Sequence, residues 1–119
     1  MSSEALVEGP DGVVAAWETE GQVYWGRVDP ATGRIARPVP APGPMRERKH
    51  PALAVNRRGE TLLAWTEGTG WERGGALAWQ VFDKEGRPTG APGRVEGGIP
   101  LWGLATAFAS AEGGFSIVH

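Results

Sequence analysis

The chain contains no cysteine among its 119 residues. This absence excludes a disulfide framework, a thiol nucleophile and a metal site built from thiolates. Histidine occurs only at His50 and His119, and neither has a carboxylate at a spacing typical of metal ligands. We therefore expect no metal ion and no cofactor.

Long apolar runs and a dominant charge are also missing. No run approaches the length of a membrane-spanning helix. The net charge is −2, and the 12 basic and 14 acidic residues are interspersed, so we expect neither a nucleic-acid nor a membrane partner. The first residues lack the basic and apolar regions of a secretory signal. The sequence as given predicts a cytoplasmic chain, or an extracytoplasmic one if it was excised from an exported parent protein.

What the chain does contain is a repeat. Two segments, Gly12–Asp29 and Gly59–Asp83, share one order: a turn glycine, an apolar run ending in tryptophan, a gap, and a second run carrying tryptophan. Self-similarity of this kind indicates stacked structural units. Trp65 follows Trp17 by 48 positions and Trp79 follows Trp25 by 54, so the second copy has six extra residues between its tryptophan runs. The equivalent positions of these four tryptophans favour roles in packing.

The apolar runs are short and are separated by the 19 glycines and 10 prolines, a pattern typical of strands rather than helices. We predict an all-β fold of ten strands in groups of four, four and two, in units spanning about 3–44, 50–96 and 101–119. Val13–Trp17 is apolar throughout, so we expect it to be covered on both faces. Arg34–Val39 is expected to be an outer strand because Pro38 and the alternate prolines after it remove backbone donors. Arg46–His50 is interpreted as a solvated connector.

Four short antiparallel strands per unit, repeated at about fifty residues, favour β-propeller blades. The second copy, with Pro51–Trp65 followed by Trp79–Gly86, resembles the blades of bacterial sialidase-like (BNR-type) propellers, many of them in uncharacterised exported proteins. The resemblance implies four-stranded antiparallel blades, about two and a half per chain. It implies architecture rather than activity, because none of the three turns matches the Asp-box of that family: Pro10–Gly12, Asn56–Gly59 and Glu112–Gly114.

Catalytic residues are not expected within the chain. The sialidase resemblance would require a tyrosine nucleophile, but the single tyrosine, Tyr24, lies in a predicted strand beside Trp25, where packing is favoured. The segment Gly68–Gly75 has no lysine and no following helix pattern, so it is not a phosphate loop. The alternative is that the chain is a fragment of a sialidase-like glycoside hydrolase whose catalytic residues lie outside it.

The best candidate for ligand binding is this same segment, since insertions in repeat proteins tend to lie on a binding face. Trp71 has no counterpart in the first copy and is followed by Glu72 and Arg73. An indole flanked by hydrogen-bonding charges suits stacking on a sugar. The alternative is that Trp71 covers a sheet edge or contacts another chain. Trp102, at the entry to the third unit, is a further candidate that could lie near Trp71.

Self-association is the expected partnership. A single repeat cannot bury its own apolar faces, and closed propellers need about four to eight blades. Two and a half units would leave two faces open, so we expect either a homo-oligomer or the remaining blades of a longer protein. The sequence thus favours a non-enzymatic module for protein or carbohydrate recognition, or for scaffolding.

Overall fold

The computed structural model describes residues 4–44 and 47–119, which form ten strands and no helix. Ser3, the predicted start of the first unit, and the connector residues Met45 and Arg46 lie outside the described residues. Within those two ranges no helix is long and apolar enough to cross a membrane. The strands are β1 (Glu4–Gly9), β2 (Gly12–Thr19), β3 (Gln22–Arg27), β4 (Val39–Pro40), β5 (Arg48–Val55), β6 (Thr61–Glu67), β7 (Gly75–Phe82), β8 (Pro88–Ile99), β9 (Thr106–Ala109) and β10 (Phe115–Val118).

The strands form three antiparallel sheets, each in simple sequence order. Sheet 1 contains β1 to β4, sheet 2 contains β5 to β8, and sheet 3 contains β9 and β10. Each strand pairs with the next one along the chain within its sheet. The predicted all-β class and the grouping of strands into four, four and two are therefore confirmed for the described residues.

The turns between strands follow the turn chemistry of the sequence. Asn56 Oδ1 accepts hydrogen bonds from the backbone N–H groups of Arg58 and Glu60, both at 3.0 Å. At the turn between β7 and β8, Asp83 Oδ1 accepts from the backbone N–H groups of Arg87 and Glu85, both at 2.9 Å. The hydrogen bond from the Arg87 N–H has the largest effect, and together these bonds lower the pKa of Asp83 below its ordinary value.

Sheet 2 lies between the other two sheets. Its strand β5 contacts β1, β2 and β3 on one side and β9 on the other. The core between sheets 1 and 2 contains Val14, Ala16, Val23, Trp25, Ala41, Leu53, Leu63, Trp65, Ala78 and Phe82. The core between sheets 2 and 3 contains buried Ala52, Ala64, Leu77 and Ile99, with Trp79, Ala105, Ala107 and Ile117 packed against them.

The four tryptophans at repeated positions differ in burial. Trp25 and Trp65 are almost fully buried between sheets 1 and 2, which confirms the packing role predicted for them. Trp17 is half-buried and stacks on Tyr24 with ring centroids 5.9 Å apart. Trp79 is also half-buried. Burial thus depends on which sheet covers each position rather than on the repeated sequence.

The prediction that Val13–Trp17 is covered on both faces is wrong. Val14 is 1% exposed whereas Val13 is 40% exposed, because only one face of sheet 1 packs against sheet 2. Its equivalent in the middle sheet, β6, is buried at all seven positions. A strand is therefore covered on both faces only when a sheet packs on each side of it. Among the described residues, only sheet 2 has a neighbouring sheet on both sides.

Two further expectations need correction. The fourth strand is Val39–Pro40 instead of Arg34–Val39, and Ile35 forms only an isolated bridge to Val28. Pro38 has no backbone N–H to donate, which interrupts the hydrogen bonding between strands before Val39. β4 and β8 nevertheless each form one edge of their sheet, as their prolines predict. The predicted solvated connector is also partly wrong, because Arg48 begins β5 and is only 3% exposed.

Candidate ligand-binding site

Two loops at the same end of sheet 2 bring Trp71 and Trp102 together. Trp71 lies between β6 and β7, and Trp102 lies between β8 and β9. Their ring centroids are 5.0 Å apart and the planes meet at 86°, an edge-to-face contact. Trp71 is 81% exposed and Trp102 is 66% exposed. The two residues are therefore neighbours, a proximity that the sequence allowed but could not establish, and the pair is open to solvent.

The Trp71 loop is fixed by backbone contacts. Gly70 and Arg73 exchange two backbone hydrogen bonds of 3.2 and 3.1 Å, which close a tight turn around Trp71. The backbone N–H of Gly68 donates to Glu47 O at 3.0 Å. A Cβ at Gly75 would lie 2.3 Å from Glu67 O, so only glycine allows the loop to return this close to β6. Trp71 is therefore presented by a structured turn.

Unusual backbone conformation concentrates at this end of the molecule. Four non-glycine residues have positive φ within the described ranges, and three belong to this region: His50 at 52°, Glu72 at 51° and Trp102 at 61°. A bulky side chain seldom adopts such a conformation. Residues in sparsely populated conformations cost about 1–3 kcal/mol each and cluster at ligand sites. Trp102 therefore carries its exposed side chain on a backbone of uncommon conformation.

The tryptophan pair borders a cleft of about 510 Å³. Polar side chains line it together with the two indoles: Lys49, His50, Thr69 and Arg73. Lys49 Nζ lies 3.5 Å from Thr69 O, at the limit of a hydrogen bond, and no ion pair to Lys49 is present in the part of the chain that the structure describes. The cleft thus combines apolar ring faces with polar side chains, among them Lys49, whose ammonium group carries three donors and makes one long hydrogen bond.

The predicted flanking charges take different positions. Arg73 lines the cleft and forms an exposed ion pair with Glu47, with Nη2 3.0 Å from Oε2. Glu72 is exposed but is not among the residues that line the cleft. Three of the four predicted residues, Trp71, Arg73 and Trp102, are therefore brought together at the cleft.

A buried charge cluster lies beneath this end of the sheet. Glu67, the last residue of β6, accepts hydrogen bonds from Arg48 Nε at 3.1 Å and Trp65 Nε1 at 2.8 Å. It also accepts from Arg94 Nη1 on β8. The Arg48 guanidinium lies 5.2 Å from the centre of the Trp65 ring and donates to Pro42 O at 2.6 Å. The cluster joins sheet 2 to the segment that follows β4.

Comparisons with known proteins do not assign this arrangement to a family. No family model, curated protein or solved structure matches the chain. The function must therefore be argued from the site itself.

The remaining sequence candidates do not form a catalytic group. Tyr24 is half-buried against Trp17, and His119 Nδ1 lies 2.6 Å from Gly98 O at the edge of sheet 2. His50 lines the tryptophan cleft, whereas His119 lines a different crevice. The fold therefore does not bring the two histidines into one site. Among residues 4–44 and 47–119, no group of three or more His, Asp or Glu side chains is placed to bind a metal ion.

Lys49, His50 and Thr69 were missed by sequence reasoning. Lys49 and His50 belong to a basic stretch that was interpreted as a connector, and Thr69 lies within the inserted loop. A bulge in the pairing of β5 with β6, between Lys49 and Ala52, changes the direction of the strand here. Pro51 lies in that bulge and is a sequence signal for it, since proline within a strand is confined to edges and bulges, but it does not indicate that Lys49 and His50 line a cleft.

Proposed function

We propose that this chain is a non-catalytic module of the β-propeller type that recognises carbohydrate at the Trp71–Trp102 cleft. The observation that carries the proposal is an exposed pair of indoles, presented on a tightly packed backbone of uncommon conformation beside the polar side chains of Lys49 and Arg73. The edge-to-face contact itself is worth only about 0.5–1.5 kcal/mol, and both rings stay largely exposed. Exposed aromatic patches mark interaction sites.

The propeller part of the proposal is supported by the order in which the sheets stack. Each sheet is a simple antiparallel meander, and the first strands β1, β5 and β9 are neighbours. The loops that carry Trp71 and Trp102 join the second strand to the third and the fourth strand to the next sheet. In such an array these loops lie together at one end, where insertions form a binding face.

The carbohydrate part rests on the chemistry of the cleft. An indole offers a flat apolar surface for the C–H face of a pyranose, and Lys49 and Arg73 offer donors for its hydroxyls. The edge-to-face geometry gives a corner instead of a flat platform, which suits a sugar that contacts one ring by its face and the other by its edge. A protein ligand is the alternative, since tryptophan and arginine are also frequent in protein interfaces.

A glycan array followed by titration tests the proposal. We expect Trp71→Ala and Trp102→Ala each to weaken binding of a recognised glycan at least about tenfold, because about 1.4 kcal/mol of lost stacking corresponds to that factor. Phe108→Ala is the matched control, since Phe108 is a 53% exposed aromatic residue on sheet 3 that does not line the cleft. Binding that survives both tryptophan substitutions, or an array without any bound glycan, would refute carbohydrate recognition at this cleft.

We further propose that the chain associates with copies of itself or with additional blades. The open face of sheet 1 exposes Leu6 and Val13, and sheet 3 exposes Phe108 and Val118. Both equivalent faces of the middle sheet are covered by neighbouring sheets. Head-to-tail contacts that close into a ring would cover both open faces. Light scattering that reports a well-folded monomer at micromolar concentration would argue against association of this chain with itself.

A further inference from the structure

An apolar crevice of about 460 Å³ separates part of sheet 2 from sheet 3. Sheet 2 has four strands and sheet 3 has two in the described residues, so β7 and β8 extend beyond the strands that face them. His119 is the one strongly polar residue that lines the crevice. Its principal walls are Leu77, Trp79, Val81, Val95, Phe115 and Ile117.

The equivalent surface of sheet 1 is filled. Trp25 occupies in sheet 1 the repeat position that Trp79 occupies in sheet 2, and it is only 2% exposed. The ring of Phe82, from the third strand of the next sheet, packs on Trp25 with centroids 5.2 Å apart. Trp79 is half-buried and has no aromatic partner among the described residues. The crevice is therefore the place where the third strand of a following sheet would lie.

The adjoining strand also has a free edge. β10 pairs with β9 along its whole length, and its other edge has no strand partner in the described part of the chain. The equivalent strand of sheet 2, β6, pairs on that side with β7 over seven residue pairs from Thr61 to Glu67. An unpaired edge presents a row of backbone donors and acceptors, and a two-stranded sheet is marginally stable. A free edge and an apolar crevice thus lie side by side.

We propose that the edge of β10 and this crevice together accept one extended peptide strand. The strand runs antiparallel to β10 and places apolar side chains, one of them aromatic, against Trp79. Main-chain hydrogen bonds provide affinity in this mode, and the pockets for alternate side chains provide specificity.

The existing interface between the sheets indicates which residues the occupant carries. Ile117 of β10 already packs against the core of sheet 2, so an added strand continues that interface instead of starting a new one. In the filled copy, the residues of β7 that face sheet 1 are Ala78 and Phe82. We therefore expect a small residue and, four positions later, an aromatic residue on the inner face of the bound strand. This inference does not depend on carbohydrate binding at the tryptophan cleft.

A synthetic peptide tests the proposal on the full chain. The probe carries the sequence of the chain's own β7, Gly75–Phe82, with lysine tails for solubility and a fluorescein label, at a concentration where it is monomeric. We expect saturable binding by fluorescence anisotropy and slower amide hydrogen exchange at Phe115–Val118. A peptide with Phe82→Asp should bind at least about tenfold more weakly, because a charge would enter the apolar crevice.

Two protein variants locate the binding surface. Val81→Lys, in the crevice wall, should reduce peptide binding at least about tenfold. Val13→Lys makes the same change at a 40% exposed position of β2, which belongs neither to the β10 edge nor to the crevice lining, and should leave binding unchanged. Equal binding of the two peptides, equal effects of the two variants, or exchange protection at β4 or β8 in place of Phe115–Val118 would each overturn the proposal.

Discussion

Replacing Glu67 by glutamine tests whether the buried charge cluster stabilises the end of sheet 2 that carries the cleft. The Glu67 side chain is 5% exposed and that of its partner Arg48 is 3% exposed. The substitution preserves shape and volume but removes the negative charge. It also replaces one acceptor oxygen by an NH₂ group, which then faces donor groups of Arg48 and Trp65 or of Arg94.

The expected cost follows from this loss. Removing one partner of a buried ion pair leaves the other charge uncompensated and costs about 3–5 kcal/mol. Glutamine keeps one acceptor oxygen, so we expect a value near the lower limit, about 3 kcal/mol. For a chain of this length such a loss lowers the melting temperature by about 10 °C.

Urea unfolding followed by tryptophan fluorescence measures this change, because Trp65 belongs to the cluster. Glu47→Gln is the matched control: Glu47 pairs with Arg73 at 3.0 Å, but both side chains are more than 60% exposed. Exposed pairs contribute about 0–1 kcal/mol, so the control should unfold nearly as the parent chain does. Equal losses of unfolding free energy for Glu67→Gln and Glu47→Gln would refute this reasoning, because they would show that burial does not determine how much an ion pair stabilises this protein.

Two further predictions concern packing and pH. Leu53→Ala should lower the free energy of unfolding in urea by about 2–5 kcal/mol, because Leu53 is buried between sheets 1 and 2. Leu6→Ala, at a 71% exposed position on β1, should lower it by less than about 0.5 kcal/mol. Similar losses for the two variants would contradict the stacking order of the sheets. A hydrogen bond from the Asn56 side chain, together with Arg58, lowers the pKa of Glu60. Its contribution to stability is therefore full above the ordinary glutamate pKa and disappears as the pH falls through the lowered value. Glu60→Gln should reduce the acid dependence of the urea midpoint, and an unchanged profile would contradict this assignment.

The candidate site was predictable in part. Comparison of the two copies identified the inserted loop and Trp71 as the feature that the repeat does not explain. The contact with Trp102 depends on two loops that are about thirty residues apart in the chain and that only the stacking of sheets brings together. Lys49 and His50 could not be assigned to the cleft, because local charge pattern does not distinguish a solvated connector from the first residues of a strand.

Periodicity and turn residues determined the elements of this protein. Short apolar runs separated by glycine and proline specify strands, and the asparagine and aspartate turns at Asn56 and Asp83 specify antiparallel connections, because these signals act through local backbone geometry.

Only the tertiary structure decided which strand faces are covered. Val13–Trp17 and Thr61–Glu67 occupy equivalent positions in the two copies, yet one is open on one face and the other is buried throughout. Burial depends on a neighbouring sheet, which a strand's own residues do not encode. The same reason leaves Trp79 half-exposed while Trp25 is buried. The repeat therefore specified the sheets, and their order of stacking produced the cleft and the crevice.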